Sequence, residues 1–150
     1  MIKKILFTLS ISTIALMALD SGDTLPPLAT EKLSLQNDKV YIIDFFASWC
    51  HSCENELPLI NKLNSAIDKN TTEIIGVDVD KNIEDGKKFQ EELALNFKVV
   101  NDTSNKIIGA FNPVGMPSVF IVKNGKIIAV IVGAKDNIDS YILDGLKDLK

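Results

Sequence analysis

The sequence predicts one α/β domain in which strands alternate with helices around a single sheet, and three observations carry that reading. Val40 to Phe46 and Glu73 to Val79 are β-branched or aromatic runs of strand length, each followed by apolar residues at helical spacing. An Asn124-Gly125 pair lies between two further β-branched runs, the signature of a two-residue hairpin. Finally, 150 residues, 46% of them hydrophobic, are enough for one core that needs no staple. With only 8 Gly and 5 Pro, and no apolar run of about 18 residues, collagen-like, disordered and polytopic membrane classes are excluded.

Along the chain, residues 1–19 read as a targeting segment. Lys3 and Lys4 give a positive start, and Ile5 to Leu19 is uncharged and apolar, long for a signal-peptide core and short for a membrane span. Ala18 could precede a cleavage site, but Leu16 is larger than the residue usually found two positions earlier, so a signal peptide and an uncleaved anchor both stay open. Residues 20–32, with Gly22 and Pro26-Pro27, read as a tether, and 33–150 as the domain.

Within that domain, Val40 to Phe46 is a buried central strand interrupted only by Asp44. Leu57, Ile60, Leu63 and Ile67 mark an amphipathic helix, within which Pro58 predicts a kink. Glu73 to Val79 is the second strand. Ile83, Phe89 and Leu93 mark a helix to about Leu95, and Phe97 to Val100 a short strand. Ser104 to Phe111 predicts a short helix, Ser118 to Lys123 and Lys126 to Val132 the hairpin, and Ile138 to Leu149 a closing amphipathic helix.

The net charge is −4, and every one of the 16 basic residues is Lys. An acidic chain without Arg lacks the side chain on which phosphate contacts and base readout lean, so no nucleic-acid partner is expected. The only two cysteines are Cys50 and Cys53, with the only histidine, His51, between them. A bridge closing so short a loop adds little stability. Three ligand candidates within four residues, with no second cluster, do not make a tetrahedral zinc site. Redox use of the pair remains, with no metal and no cofactor.

Cys50 falls where a strand ends and a helix begins. Unpaired backbone N–H groups and the positive end of the helix dipole favour a thiolate there, so its pKa is expected below that of a free cysteine. The thiolate is the form that attacks a disulfide. Cys53, one turn deeper on the same face, is placed to resolve the mixed disulfide. His51 would add positive charge nearby if protonated, or be an exposed bystander; His51 and Ser52 together tune the potential.

The segment Phe45-Phe46-Ala47-Ser48-Trp49-Cys50-His51-Ser52-Cys53 resembles the active-site segment of the thioredoxin superfamily, and Gly115-Met116-Pro117-Ser118 resembles its cis-proline loop. Val119 to Lys126 and Val132-Gly133-Ala134 match its last hairpin. The resemblance covers nearly all of 33–150 and implies a thioredoxin-like fold, a central mixed sheet flanked by helices. The long span from Asp80 to Pro117 holds an inserted helix–strand unit around 83–100. This insertion and the pattern Cys50-x-x-Cys53-x-x-Glu56-x-Pro58 are similar to the TlpA, ResA and CcmG group.

That resemblance implies a thiol–disulfide oxidoreductase outside the cytoplasm, periplasmic if the cell has such a compartment. It implies that Trp49, Met116 and a cis Pro117 meet the substrate. It also implies that the clients are protein disulfides such as the haem-site cysteines of apocytochrome c. The electron donor would be a membrane thiol transporter of the DsbD or CcdA kind, and the chain is expected to act as a monomer. Ser118 stands where Thr is commoner, and Asp44 where these relatives often carry Asn.

A carboxyl inside a buried strand costs free energy unless paired or protonated, so Asp44 is expected to have a raised pKa that suits proton exchange with Cys53. The alternative is a silent acid hydrogen-bonded to backbone. Gly76 occupies the place of the lysine that accompanies such an acid in thioredoxin. Glu56 is either a redox-tuning acid or simply an acid in a first helical turn. Two rival functions stay in view: an oxidant of secreted proteins, and a metal-delivery module on the same fold, for which the wider cysteine spacing and distal histidine are missing.

Overall fold

The computed structural model describes residues 17–149. The expected targeting segment therefore lies, for residues 1–16, outside the described residues. Ten elements follow in order: α1 (Pro27–Leu33), β1 (Val40–Phe46), α2 (His51–Ala66), β2 (Thr72–Asp78), α3 (Ile83–Glu92), β3 (Lys98–Asn101), α4 (Lys106–Phe111), β4 (Ser118–Lys123), β5 (Lys126–Val132) and α5 (Ile138–Lys147). The strands form one sheet in the order β3-β2-β1-β4-β5. β1, β2 and β3 are parallel, whereas β4 runs antiparallel to β1 and β5 antiparallel to β4. The architecture is the expected mixed sheet flanked by helices.

β1 is central and buried along its whole length, as its unbroken apolar run predicts. Alternate residues face opposite layers. Tyr41, Ile43 and Phe45 join a core with Ala29, Leu33, Phe111 and Phe120, where Phe45, Phe111 and Phe120 meet edge to face. Val40 and Ile42 join Ile60 and Leu63 of α2 and Ile138 and Ile142 of α5. Asp44 shares the face of Val40 and Ile42, and so lies on the side that α2 covers. α2 itself runs through Pro58 as one helix.

The stretch 20–32 is not a tether. Gly22 and Leu25 donate their backbone N–H groups to Ile127 and Gly125, and Thr24 bridges Lys126, so this segment covers the start of the β5 edge. Pro27 then opens α1, a place where its missing N–H costs nothing. Leu25, Ala29 and Leu33, spaced by four, present one buried stripe to the sheet. Gly22 and Pro26-Pro27 look like linker composition in one dimension but here mark a turn and a helix start.

The inserted unit consists of α3 and β3. β3 adds a parallel edge strand beside β2. α3 stops at Glu92, short of the expected Leu95, because Ala94 takes a left-handed conformation with φ 47°. Phe89 packs on Phe46, and Asn61 and Asn64 of α2 hold the turn after α3 through bonds to Leu93 and Asn96. The hairpin turn is as expected, with Asn124 and Gly125 both at positive φ.

Gly76 is the register partner of Asp44. A Cβ there would lie 2.8 Å from Phe46 and 2.9 Å from Phe97, so no side chain fits without moving two aromatic rings. Gly76→Ala is therefore expected to lower stability by about 1–3 kcal/mol, read from the denaturant midpoint. An unchanged midpoint would mean the rings yield freely.

Candidate active site

Cys50 is the N-cap of α2. The turn before it is closed by Cys50 N–H donating to the Ala47 carbonyl at 3.1 Å, and α2 starts at His51. Cys53 N–H, in the first helical turn, donates to Cys50 Sγ at 3.3 Å. The same N–H also donates to the Cys50 carbonyl at 3.0 Å, so the strand-to-helix switch turns a backbone donor of the first helical turn toward both the carbonyl and the sulfur of Cys50. Cys50 and Cys53 form a disulfide. Cys50 is 7% exposed and Cys53 fully buried, so an incoming sulfur can reach only Cys50. Ser52 Oγ stands 3.6 Å from Cys50 Sγ.

Cys50 opens into a cavity of about 840 Å³ that it shares with Trp49, Ile108, Gly115 and Met116. The Met116–Pro117 peptide is cis, and Ser118 Oγ closes this loop on the Gly115 carbonyl at 2.6 Å. The structure therefore brings Trp49 and Met116 to the reactive sulfur. Pro117 is buried at the base of the same loop. His51 is 88% exposed and its Nδ1 lies 3.4 Å from Glu54 Oε2, so a charge on its ring faces a carboxylate.

Two acids are buried together beneath α2. Asp44 is buried and neither carboxyl oxygen has a hydrogen-bond partner. Burial first, and the charge of Glu56 second, push its pKa well above the ordinary carboxylate value. Glu56 is buried as well, its Oε2 accepting the Lys135 backbone N–H at 3.1 Å. Burial raises its pKa to about 7, against the lowering effect of that hydrogen bond. The alternative of a silent Asp44 satisfied by backbone does not describe this carboxyl. Burial thus favours the protonated form of both acids, a property suited to proton exchange with a thiol.

One residue escaped the sequence reading. Asp80, just past β2, accepts both the N–H and the hydroxyl of Ser48, at 2.7 and 2.8 Å. The available signal was the exposed N–H of a turn residue beside the end of a parallel strand, but which strand end faces that turn depends on sheet order.

A family model for the AhpC/TSA family matches residues 24–131. The chain belongs to the AhpC/TSA family. It is 31% identical over 114 residues to the thiol-disulfide oxidoreductase ResA of Geobacillus kaustophilus, covering 74% of this chain and 66% of the relative. It is 31% identical over 120 residues to ResA of Bacillus thuringiensis, covering 77% and 69%. A Chlorobium tepidum structure designated as the thiol:disulfide interchange protein DsbE superposes with a TM-score of 0.75 at 23% identity, covering 87% of this chain and 98% of that one. The last likeness shows a shared thioredoxin-like fold. Within the AhpC/TSA family this chain is a thiol–disulfide oxidoreductase of the ResA type, with Cys50 and Cys53 as its redox pair.

Proposed function

We propose that this oxidoreductase works outside the cytoplasm as a reductant of protein disulfides. The observation that carries the reading is the arrangement of the pair: one sulfur at the mouth of a wide cavity, the other fully buried one helical turn before Glu56, whose carboxyl interacts with that of Asp44. The cycle follows from it. In the reduced protein the Cys50 thiolate attacks a client disulfide, forming a mixed disulfide and expelling one client thiolate. Cys53 gives its proton to the Asp44–Glu56 pair and attacks Cys50 Sγ, which releases the second client thiolate and leaves the Cys50–Cys53 disulfide. Two electrons have passed to the client, and a donor dithiol must return them.

Trp49, 67% exposed, lines the cavity, and Val114, 78% exposed, lies in the chain between its lining residues Pro113 and Gly115; both are apolar surfaces of the kind a polypeptide client would cover. The proposed clients are the haem-site cysteines of apocytochrome c, and the proposed donor is a membrane thiol transporter of the DsbD or CcdA kind. The N-terminal segment, Lys3-Lys4 followed by an uncharged apolar run, supports export or tethering. Among the described residues no helix is long and apolar enough to cross a membrane.

The test is the reduction potential. Trp49, the only tryptophan, adjoins Cys50, so its fluorescence in thiol buffers reports the redox state. A value near that of thioredoxin, about −270 mV, is expected. One near about −120 mV would make the protein an oxidant of secreted proteins instead.

A further inference from the structure

The turn that presents Cys50 is gripped by a single buried carboxylate. Ser48 donates its backbone N–H to Asp80 Oδ2 at 2.7 Å and its hydroxyl to Oδ1 at 2.8 Å, so both oxygens of one acid hold one residue. Asp80 is itself fixed. Val79 N–H donates to the Phe46 carbonyl at 3.0 Å, which ties the end of β2 to the end of β1. Asp80 N–H donates to Asp78 Oδ1 at 2.9 Å. Asp78 Oδ2 accepts from Gln90 Nε2 of α3 at 2.6 Å, and the same amide donates to Asn101 Oδ1 of β3 at 2.8 Å. Gly86 is needed on α3 because a Cβ there would run into the Asp78 carboxylate. An unbroken run of hydrogen bonds therefore joins the inserted α3–β3 unit to the residue two before the reactive cysteine. Asp80 and Cys50 also line the same cavity.

We propose that Asp80 is a positioning residue for the redox reaction: it clamps Ser48 so that Cys50 is held against Cys53, and the inserted unit serves to hold Asp80. The inference rests on the thiol–disulfide chemistry of the pair and not on which client it serves. Two hydrogen bonds from one residue into both oxygens of one carboxyl group fix its orientation as well as its place. Loosening that grip lowers the effective concentration of one cysteine at the other, which makes their disulfide easier to reduce.

The experiment equilibrates the full chain with reduced and oxidised dithiothreitol, quenches with a thiol alkylator and measures the reduced fraction, so no client is involved. Asp80→Ala is expected to move the equilibrium about tenfold toward the reduced form. Ser48→Ala, which keeps the backbone bond, is expected to move it about threefold. In the double variant the serine change should add almost nothing, since its partner is already gone. An Asp80→Ala protein with parental circular dichroism and an equilibrium within twofold of the parent overturns the proposal, because a residue that only supports the fold would leave the pair unchanged. If Asp80→Ala does not fold, Ser48→Ala decides alone, and a parental equilibrium there rejects the clamp.

Discussion

Cys53→Ser is expected to stall the protein as a mixed disulfide through Cys50, visible as a higher-mass species that dithiothreitol removes. Cys50→Ser should form no such species, and its disulfide-reductase turnover should fall at least about a thousandfold. The asymmetry follows from burial. Only Cys50 opens to the cavity, while Cys53 is enclosed by the core. A serine at 53 removes the attacking sulfur that ends the first half-reaction, and a serine at 50 removes the first half-reaction itself. Equal trapping through Cys53 in the Cys50→Ser variant would contradict this assignment of roles. A metal-delivery protein would trap nothing in either variant, so the pair of variants also separates that rival.

Asp44→Asn is expected to raise stability at pH 8 and slow resolution. The sign follows from linkage. Burial raises the folded-state pKa of Asp44, and of Glu56 from 4.5 to about 7. The folded protein therefore keeps protons that the unfolded chain releases, and stability falls as pH rises through the window between the unfolded and folded values. An asparagine stays neutral throughout. It should leave stability near pH 4 almost unchanged, raise it at pH 8 and flatten the slope between. The decay of the mixed disulfide, followed in a single turnover at pH 7, should slow by about a hundredfold, because an amide can neither share nor relay the proton that Asp44 and Glu56 handle together. Parental decay with a flattened stability profile would assign Asp44 to the fold alone and leave Glu56 as the acceptor; Glu56→Gln, measured the same way, tests that directly.

The two acids also show how far the sequence could be read. Asp44 stood out because a charge interrupts an apolar strand, and burial alone was enough to foresee its raised pKa. Glu56 had two equal readings. Its side chain could have faced solvent in the first turns of α2, and what buries it is the packing of α2 on the sheet together with the Lys135 backbone reaching back from beyond β5. The tether expected over 20–32 failed for a related reason. Proline and glycine mark both linkers and the ends of short packed elements, and the difference lies in whether a hydrophobic stripe finds a partner. Leu25, Ala29 and Leu33 find theirs on the sheet.

Local pattern was sufficient wherever the physics is local. The alternation of strand and helix, the Asn124-Gly125 hairpin, the position of Cys50 at a helix start and the three-residue step to Cys53 follow from periodicity, turn chemistry and the helix dipole. Contacts between distant segments depended on the sheet order β3-β2-β1-β4-β5, which sets β2 beside β1 and so brings Asp80 to Ser48 across 32 positions of chain. The pairing of Asp44 with Glu56 and the meeting of Trp49 with Met116 arise in the same way. Such encounters rest on which faces are buried together, and burial is a property of the whole packed chain.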